Sequence, residues 1–242
     1  MSENNSQYDV IVIGAGVAGL YQLFKLRQLK LKVLVIEAGD NVGGTWYWNR
    51  YPGARFDSES WSYGYSFSKE LFEEWDWPEH FAAQPDTLRY LNYVADKFDF
   101  RRDIKFDRRV EACVFDQHNN LWTVRTNTKE EYVARFLITA LGPLSAFTLP
   151  NIEGRETFKG PAYHTARWPH EEVDFLGKRV GIIGTGACAI QTIQTIAKDV
   201  AHLTVFQRSP NWAAPLNNSV ITEDEQRQIK QDFEKIFEQC RK

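Results

Sequence analysis

Paired cysteines are missing from this chain. Its three cysteines, Cys113, Cys188 and Cys240, lie far apart in the 242 residues, with no CxxC pair and no His–Cys cluster, which argues against a dithiol redox centre and a zinc site. This usage fits a reducing cytosol. Long apolar runs are also missing: the longest, Val10 to Tyr21, is too short for a membrane span and holds three glycines. Residues 1–8, MSENNSQY, have neither a basic nor an apolar leader region, so no export signal is expected. Charge is close to balanced, and a net −3 gives no reason to expect nucleic acid or an anionic membrane as partner. What remains, 43% apolar and 25% charged, is the composition of an ordinary globular protein with one large or two modest domains. Tryptophan is plentiful: there are eight, with Trp61, Trp75 and Trp77 in one irregular stretch, and packing is their expected role.

Two glycine turns organise the chain. The β-branched run Tyr8–Ile13 reads as a buried parallel strand and leads into Gly14-Ala-Gly16-Val-Ala-Gly19. Leu20, Leu23 and Phe24 then continue at helical spacing, and a second buried strand, Lys32–Ile36, ends at Glu37. Strand, turn, helix, strand and terminal acid in this register bring a pyrophosphate onto a helix N-terminus and a carboxylate onto ribose hydroxyls. Lys178–Ile183 repeats the strand, and Gly184-Thr185-Gly186-Ala187-Cys188-Ala189 repeats the turn with alanine as third small residue. Ile190, Ile193 and Ile196 lie on one face of the next helix, and the strand Leu203–Phe206 ends in Gln207-Arg208-Ser209. Over nearly equal distances, one unit ends in the carboxylate of Glu37 and the other in the guanidinium of Arg208. A carboxylate repels a 2′-phosphate, whereas an arginine grips it bidentately, so the first unit is expected to hold FAD and the second NADPH.

Between the units, Gly43–Asp57 reads as an irregular loop that approaches a ligand, delivering Arg55 and Asp57 beside it. A helix is expected over Thr87–Phe98, with strands at Ile104–Phe106, Arg109–Phe115, Leu121–Arg125 and Tyr132–Ala140. The run Phe136–Gly142 reads as another buried strand that returns the chain to the first sheet. Pro150–Arg155 reads as a linker, and Phe158–Pro169 as a junction segment. The last stretch opens with a capping box at Thr222 and Glu225 and runs as a helix. Its apolar stripe, Ile229, Phe233 and Ile236 or Phe237, has no obvious partner left in the sequence.

Two long patterns carry a family resemblance. Phe158-x-Gly160-xxx-His164-xxx-Trp168-Pro169 and Gly44-x-Trp46-xxxx-Tyr51-Pro52-Gly53-xxx-Asp57 resemble, at every defined position, the signatures of the class B flavoprotein monooxygenases, most closely the Baeyer–Villiger monooxygenases. The resemblance implies an α/β fold with two Rossmann-like dinucleotide-binding domains, FAD and NADP, built on parallel sheets with helices on both faces and a β-meander in the FAD domain. It places the FAD-binding domain at 1–147, the NADP-binding domain at 148–218 and the start of a helical segment at 219–242. It implies that Gly14, Gly16, Gly19, Glu37, Thr45, Trp46, Asp57, Tyr63 and Val110 contact FAD, with Tyr47 and Trp48 in the same cofactor-binding run. It further implies that Arg55, Asp57, Gly184, Thr185, Gly186, Ala187, Ala189, Gln191, Arg208 and Ser209 contact NADP. His164 resembles a residue coupling domain movement to the active site, and Asp57 one that orients a catalytic arginine. The implied activity is Baeyer–Villiger oxidation by dioxygen and NADPH through a flavin C(4a)-peroxide, turning a small-molecule ketone into an ester or lactone. Family members run to about twice this length, and their arginine lies beyond the point where this chain stops, so weak or no activity is expected of these residues alone. N- or S-oxidation and a non-catalytic FAD- and NADP-binding module are the competing expectations. Trp168 weighs against the former. Neither a metal, a nucleic acid nor a membrane partner is expected, and a cytoplasmic location is.

Overall fold

The computed structural model describes residues 7–241; the polar leader up to Ser6, and Lys242, lie outside the described residues. In chain order the elements are β1 (Gln7–Ile13), α1 (Val17–Gln28), β2 (Val33–Ile36), α2 (Thr45–Trp48), α3 (Ser60–Tyr63), α4 (Lys69–Glu74) and α5 (Gln84–Lys97). There follow β3 (Ile104–Lys105), β4 (Val110–Asp116), β5 (Leu121–Thr126), β6 (Glu131–Thr139), β7 (Arg179–Ile183), α6 (Ala187–Ile196), β8 (His202–Phe206), α7 (Glu223–Gln231) and α8 (Phe233–Gln239). The chain divides into two compact units that interleave in sequence: residues up to Trp48 with Leu91–Pro150, and Asn49–Tyr90 with the chain from Asn151.

The first unit is built on a six-stranded sheet in the order β3-β2-β1-β6-β5-β4. β1 pairs in parallel with β2 and β6, while β4, β5 and β6 form an antiparallel meander. Ile11, Ile13, Leu34 and Ile36 from the parallel strands meet Val124, Tyr132 and Ala134 from the meander in one core cluster. Such all-apolar strands persist because parallel strands are covered on both faces. Each fully buried Ile or Leu contributes about 1.5–3 kcal/mol. Leu20, Leu23 and Leu26 of α1 are buried. As expected, β6 returns the chain to β1, in the register Val10↔Phe136 and Ile13↔Thr139. The expectation that this run is buried fails, because Phe136 is 55% exposed. A buried strand needs a layer on each face, and at Phe136 the described chain supplies one.

The second unit holds a two-stranded parallel sheet, β7-β8, with α6 packed against β7. Its first strand also corrects the sequence expectation: Ile183 is exposed, as is Phe206 beside it, since one helix covers one face of so small a sheet. The aromatic stretch is packing, as expected. Trp77 and Tyr90 are buried with ring centroids 5.0 Å apart, and Trp75 lies 5.2 Å from Tyr90. The Tyr90 hydroxyl accepts the Tyr65 backbone N–H at 2.7 Å, and burial pushes both phenols well above the usual tyrosine range.

The tail differs from expectation in two ways. Its capping box forms, with the Thr222 side chain accepting from Glu225 N while the Glu225 carboxylate accepts from Thr222 N, a device that contributes about 1 kcal/mol. The helix nevertheless breaks at Asp232 into α7 and α8. The stripe has a partner after all: Phe233 and Phe237 enclose Phe72 at 5.0 and 5.6 Å, with Trp61, Ile229 and Ile236 around them. That partner stands in the aromatic stretch, far upstream, where no local pattern links it to the tail. Backbone bonds from His80 to Ser219 and from Ile221 to Pro78, each 3.0 Å, tie the approach to α7 onto the same stretch.

Candidate functional sites

Each unit presents one glycine turn. In the first, Gly14 takes φ +104°, a conformation that side-chain-bearing residues rarely adopt, and its N–H donates to Ile36 O at 2.8 Å. Gly16 is the N-cap of α1, no side chain caps the helix, and no acidic residue stands in its first turn. A 12-residue helix with no side-chain cap at Gly16 and no acid in its first turn fits an anion at its N-terminus. A Cβ on Gly19 would overlap Gly14 O, so helix and turn touch backbone to backbone there. Gly43 N donates to Ala15 O at 3.0 Å, which brings the paired-glycine loop onto the turn.

Glu37 is 5% exposed and both of its oxygens are engaged: Oε2 accepts from Ala15 N at 2.7 Å and Oε1 from Gly39 N at 2.8 Å. The carboxylate thus joins the glycine turn to the turn after β2. Each such charge-assisted bond is worth about 1.5–3 kcal/mol, and each oxygen keeps a further lone pair. Around it, Trp46 and Tyr47 are buried, Thr45 and Trp48 half-buried, and the Tyr47 ring closes on Gly39. Val110 is half-buried against the core of the sheet.

In the second unit Gly184 has φ +103° and donates to Phe206 O at 2.8 Å, repeating the first turn's backbone. Gly186 caps the 10-residue helix α6, again with no side-chain cap and no acid in the first turn. Thr185 is held by its neighbours: Gln207 Nε2 donates to its Oγ1 at 3.1 Å and Asn211 Nδ2 to its carbonyl at 2.8 Å. Ala187 is exposed, and Ala189 half-buried. Arg208 and Ser209 are exposed, and among the described residues Arg208 has no ion-pair partner.

The structure also identifies a residue that sequence spacing alone could have singled out. Gln207 follows Phe206, the acceptor of the Gly184 N–H, as Glu37 follows Ile36, the acceptor of the Gly14 N–H. Both stand 23 residues after the first glycine of their turn. The positional counterpart of the acid is therefore a neutral amide, and the arginine comes one residue later.

Asp57, Tyr63, Arg55, His164 and Gln191 all fall in the second unit, together with the second turn. Asp57 is exposed, and Tyr63 stacks on Phe56 at 4.4 Å and 11°. Arg55 Nη1 donates to Glu79 Oε2 and to Phe81 O, both at 3.0 Å. Gln191 accepts from Tyr51 Oη at 2.9 Å and donates to Arg55 O at 3.0 Å. In the junction segment His164 Nδ1 accepts from Ala166 N at 3.1 Å, capping a single 3-10 turn, so a neutral ring carries its proton on Nε2. Trp168 stacks with Phe175 at 6.2 Å and lies 5.4 Å from Tyr163. Among the described residues no His/Cys/Asp/Glu cluster fit for a metal occurs, and no helix is long and apolar enough to cross a membrane.

The family model described as pyridine nucleotide-disulphide oxidoreductase matches residues 11–241. The chain belongs to this family. Within the pyridine nucleotide-disulphide oxidoreductases it shares the two dinucleotide turns rather than the disulfide, since no CxxC pair occurs in these residues and all three cysteines are free. An acetone monooxygenase (methyl acetate-forming) from Gordonia sp. (strain TY-5) is 49% identical over 93% of this chain and 42% of its own length. The phenazine N-monooxygenase PhzNO1 of Lysobacter antibioticus is 43% identical over 100% of this chain and 44% of its own. A crystal structure of OTEMO in complex with FAD and NADP superposes with TM-score 0.92 at 48% identity, covering 96% of this chain and 44% of that one. The resemblance to Baeyer–Villiger monooxygenases and the α/β fold with Rossmann-type turns are thereby borne out. The chain spans less than half the length of these relatives.

Proposed function

We propose that this chain supplies the two dinucleotide units of an FAD- and NADPH-dependent monooxygenase that converts ketones to esters or lactones. The observation that carries it is a pair of glycine turns with the same backbone geometry, one backed by the buried Glu37 carboxylate and the other by a neutral Gln207 and the exposed Arg208. The first turn fits FAD. Its helix N-terminus at Gly16 receives a pyrophosphate, and the spare lone pairs of Glu37 receive ribose hydroxyls. The second fits NADPH: α6 receives the pyrophosphate, and Arg208 with Ser209 receives the 2′-phosphate. FAD supplies oxygen-transfer chemistry and NADPH its reducing equivalents, so one ketone, one dioxygen and NADPH with a proton yield ester, water and NADP. Of the remaining residues, Asp57 orients a cation at the reacting centre and His164 couples movement of the junction segment to it. Residues 1–147 and 148–218 are the FAD- and NADP-binding segments in this assignment, and the enzyme works in the cytoplasm.

Titration of the purified protein with FAD, NADPH and NADH tests this. A bound yellow flavin and tighter binding of NADPH than NADH are expected, and Arg208→Ala should cut NADPH affinity by roughly tenfold or more, the worth of a charge-assisted contact. Preference for NADH would overturn the assignment. N-oxidation is the second reading, favoured by the 43% identity to a phenazine N-monooxygenase. Products formed from a cyclic ketone and from a phenazine separate the two, and Trp168 at the family's tryptophan position favours the ketone.

A further inference from the structure

We propose that Gln191 is a positioning residue, stapling the Tyr51–Arg55 loop to α6 so that Arg55 is presented to the dinucleotide. The inference rests on the assignment of Arg55 as a dinucleotide contact.

Three independent contacts seat this loop on one face of α6. The buried Tyr51 hydroxyl donates to Gln191 Oε1 at 2.9 Å. Burial and the neighbouring Cys188 raise the phenol far above its ordinary value, so it stays a donor at any physiological pH. Gln191 Nε2 donates back to Arg55 O at 3.0 Å. Between these bonds the chain passes Gly53, with φ +80°, where a Cβ would run into Thr195 Oγ1 and lie 2.6 Å from Gln191 O. Gln191 and Thr195 are one helical turn apart, so all three contacts fall on a single face. The amide of Gln191 therefore spends one donor and one acceptor on the loop.

Arg55 is held from its other end as well. Its Nη1 is fixed by Glu79 Oε2 and Phe81 O, and Glu79 Oε2 is in turn bound by Asn218 Nδ2 at 2.7 Å. Among the described residues Nε and Nη2 of Arg55 have no acceptor, which leaves one edge of the guanidinium for an anion. Backbone anchored by Gln191 and side chain anchored by Glu79 make a pre-oriented cation, the arrangement that reduces the ordering cost of binding.

The test uses Tyr51→Phe, Gln191→Leu and the double variant, with NADPH and FAD titrated in parallel. Gln191→Leu removes both the acceptor for Tyr51 and the donor to Arg55 O without adding charge. Each single variant should weaken NADPH about three- to tenfold, the worth of a neutral hydrogen bond. The double variant should lose no more than the worse single, and FAD affinity should not move. If Tyr51→Phe leaves NADPH binding intact while Gln191→Leu abolishes it, Gln191 acts only as a direct ligand and the proposal fails. It fails too if both singles lower the melting temperature alone. Should the unaltered protein bind no NADPH, the functional assignment fails instead, and the staple is read from unfolding: a double-variant loss smaller than the sum of the singles supports it, and additivity overturns it.

Discussion

At Gly14 and at Gly184 the chain makes the same turn, with φ near +104° and +103° and a 2.8 Å bond from the glycine N–H to the end of the neighbouring strand. What surrounds the two turns differs. The first is pressed from all sides: Gly14 lies against Ala140 O, Gly19 against Gly14 O, and a buried carboxylate clamps Ala15. The second is open, with nothing within 4 Å of where a Cβ on Gly184 would stand, and only amide and hydroxyl contacts at Thr185. One backbone motif is thus compatible with a rigid, pre-formed cradle in one unit and an exposed, cation-edged one in the other. The two were set apart by their strand ends and neighbours, not by their glycines.

This contrast can be broken at three points. The largest effect belongs to Gly19→Ala, because the added methyl meets a backbone carbonyl that cannot step aside; a loss of about 3 kcal/mol or more is expected in urea unfolding. Its counterpart Ala189→Gly should cost only about 0.5–1 kcal/mol, the helix penalty of glycine. Equal losses at the two positions would show that the turns are packed alike. Next comes Glu37→Gln, which sets an NH2 against a backbone N–H in a buried place. A drop of about 1.5–3 kcal/mol is expected, with weaker FAD binding, and an unchanged unfolding midpoint would remove the clamp from the account. The smallest is Gln207→Glu, which puts the missing acid at the exposed second turn. Stability should stay within about 0.5 kcal/mol. NADPH affinity should fall roughly three- to fivefold relative to NADH, as expected of a like charge in a solvated place, and a ratio that does not move would mean Arg208 alone sets the preference.

The βαβ units were legible because their signals are local. A β-branched run, a glycine turn and an apolar helix face lie within thirty-odd residues, and each follows from short-range sterics. Arg208 was readable for the same reason, but that Gln207 rather than Arg208 stands at the acid's position follows from the backbone bond to Phe206 O. Burial of individual strands was misjudged at Phe136 and Ile183, since an apolar run carries no mark of how many layers will cover it. Contacts between distant segments were out of reach. Nothing in the residues around Tyr51 announces Gln191, 140 positions away, and nothing in the tail announces Phe72.

That last contact has a consequence during synthesis. Phe72 leaves the ribosome about 160 residues before Phe233 and Phe237 exist to enclose it, and at a translation rate of about 5–20 residues per second the wait is roughly 8–30 s. Through that interval an aromatic surface that the finished protein hides is open to other nascent chains. Until α8 is made, the Phe72 face lacks the cover it has in the finished protein, so a chain cut before Phe233 should be the more prone to self-associate.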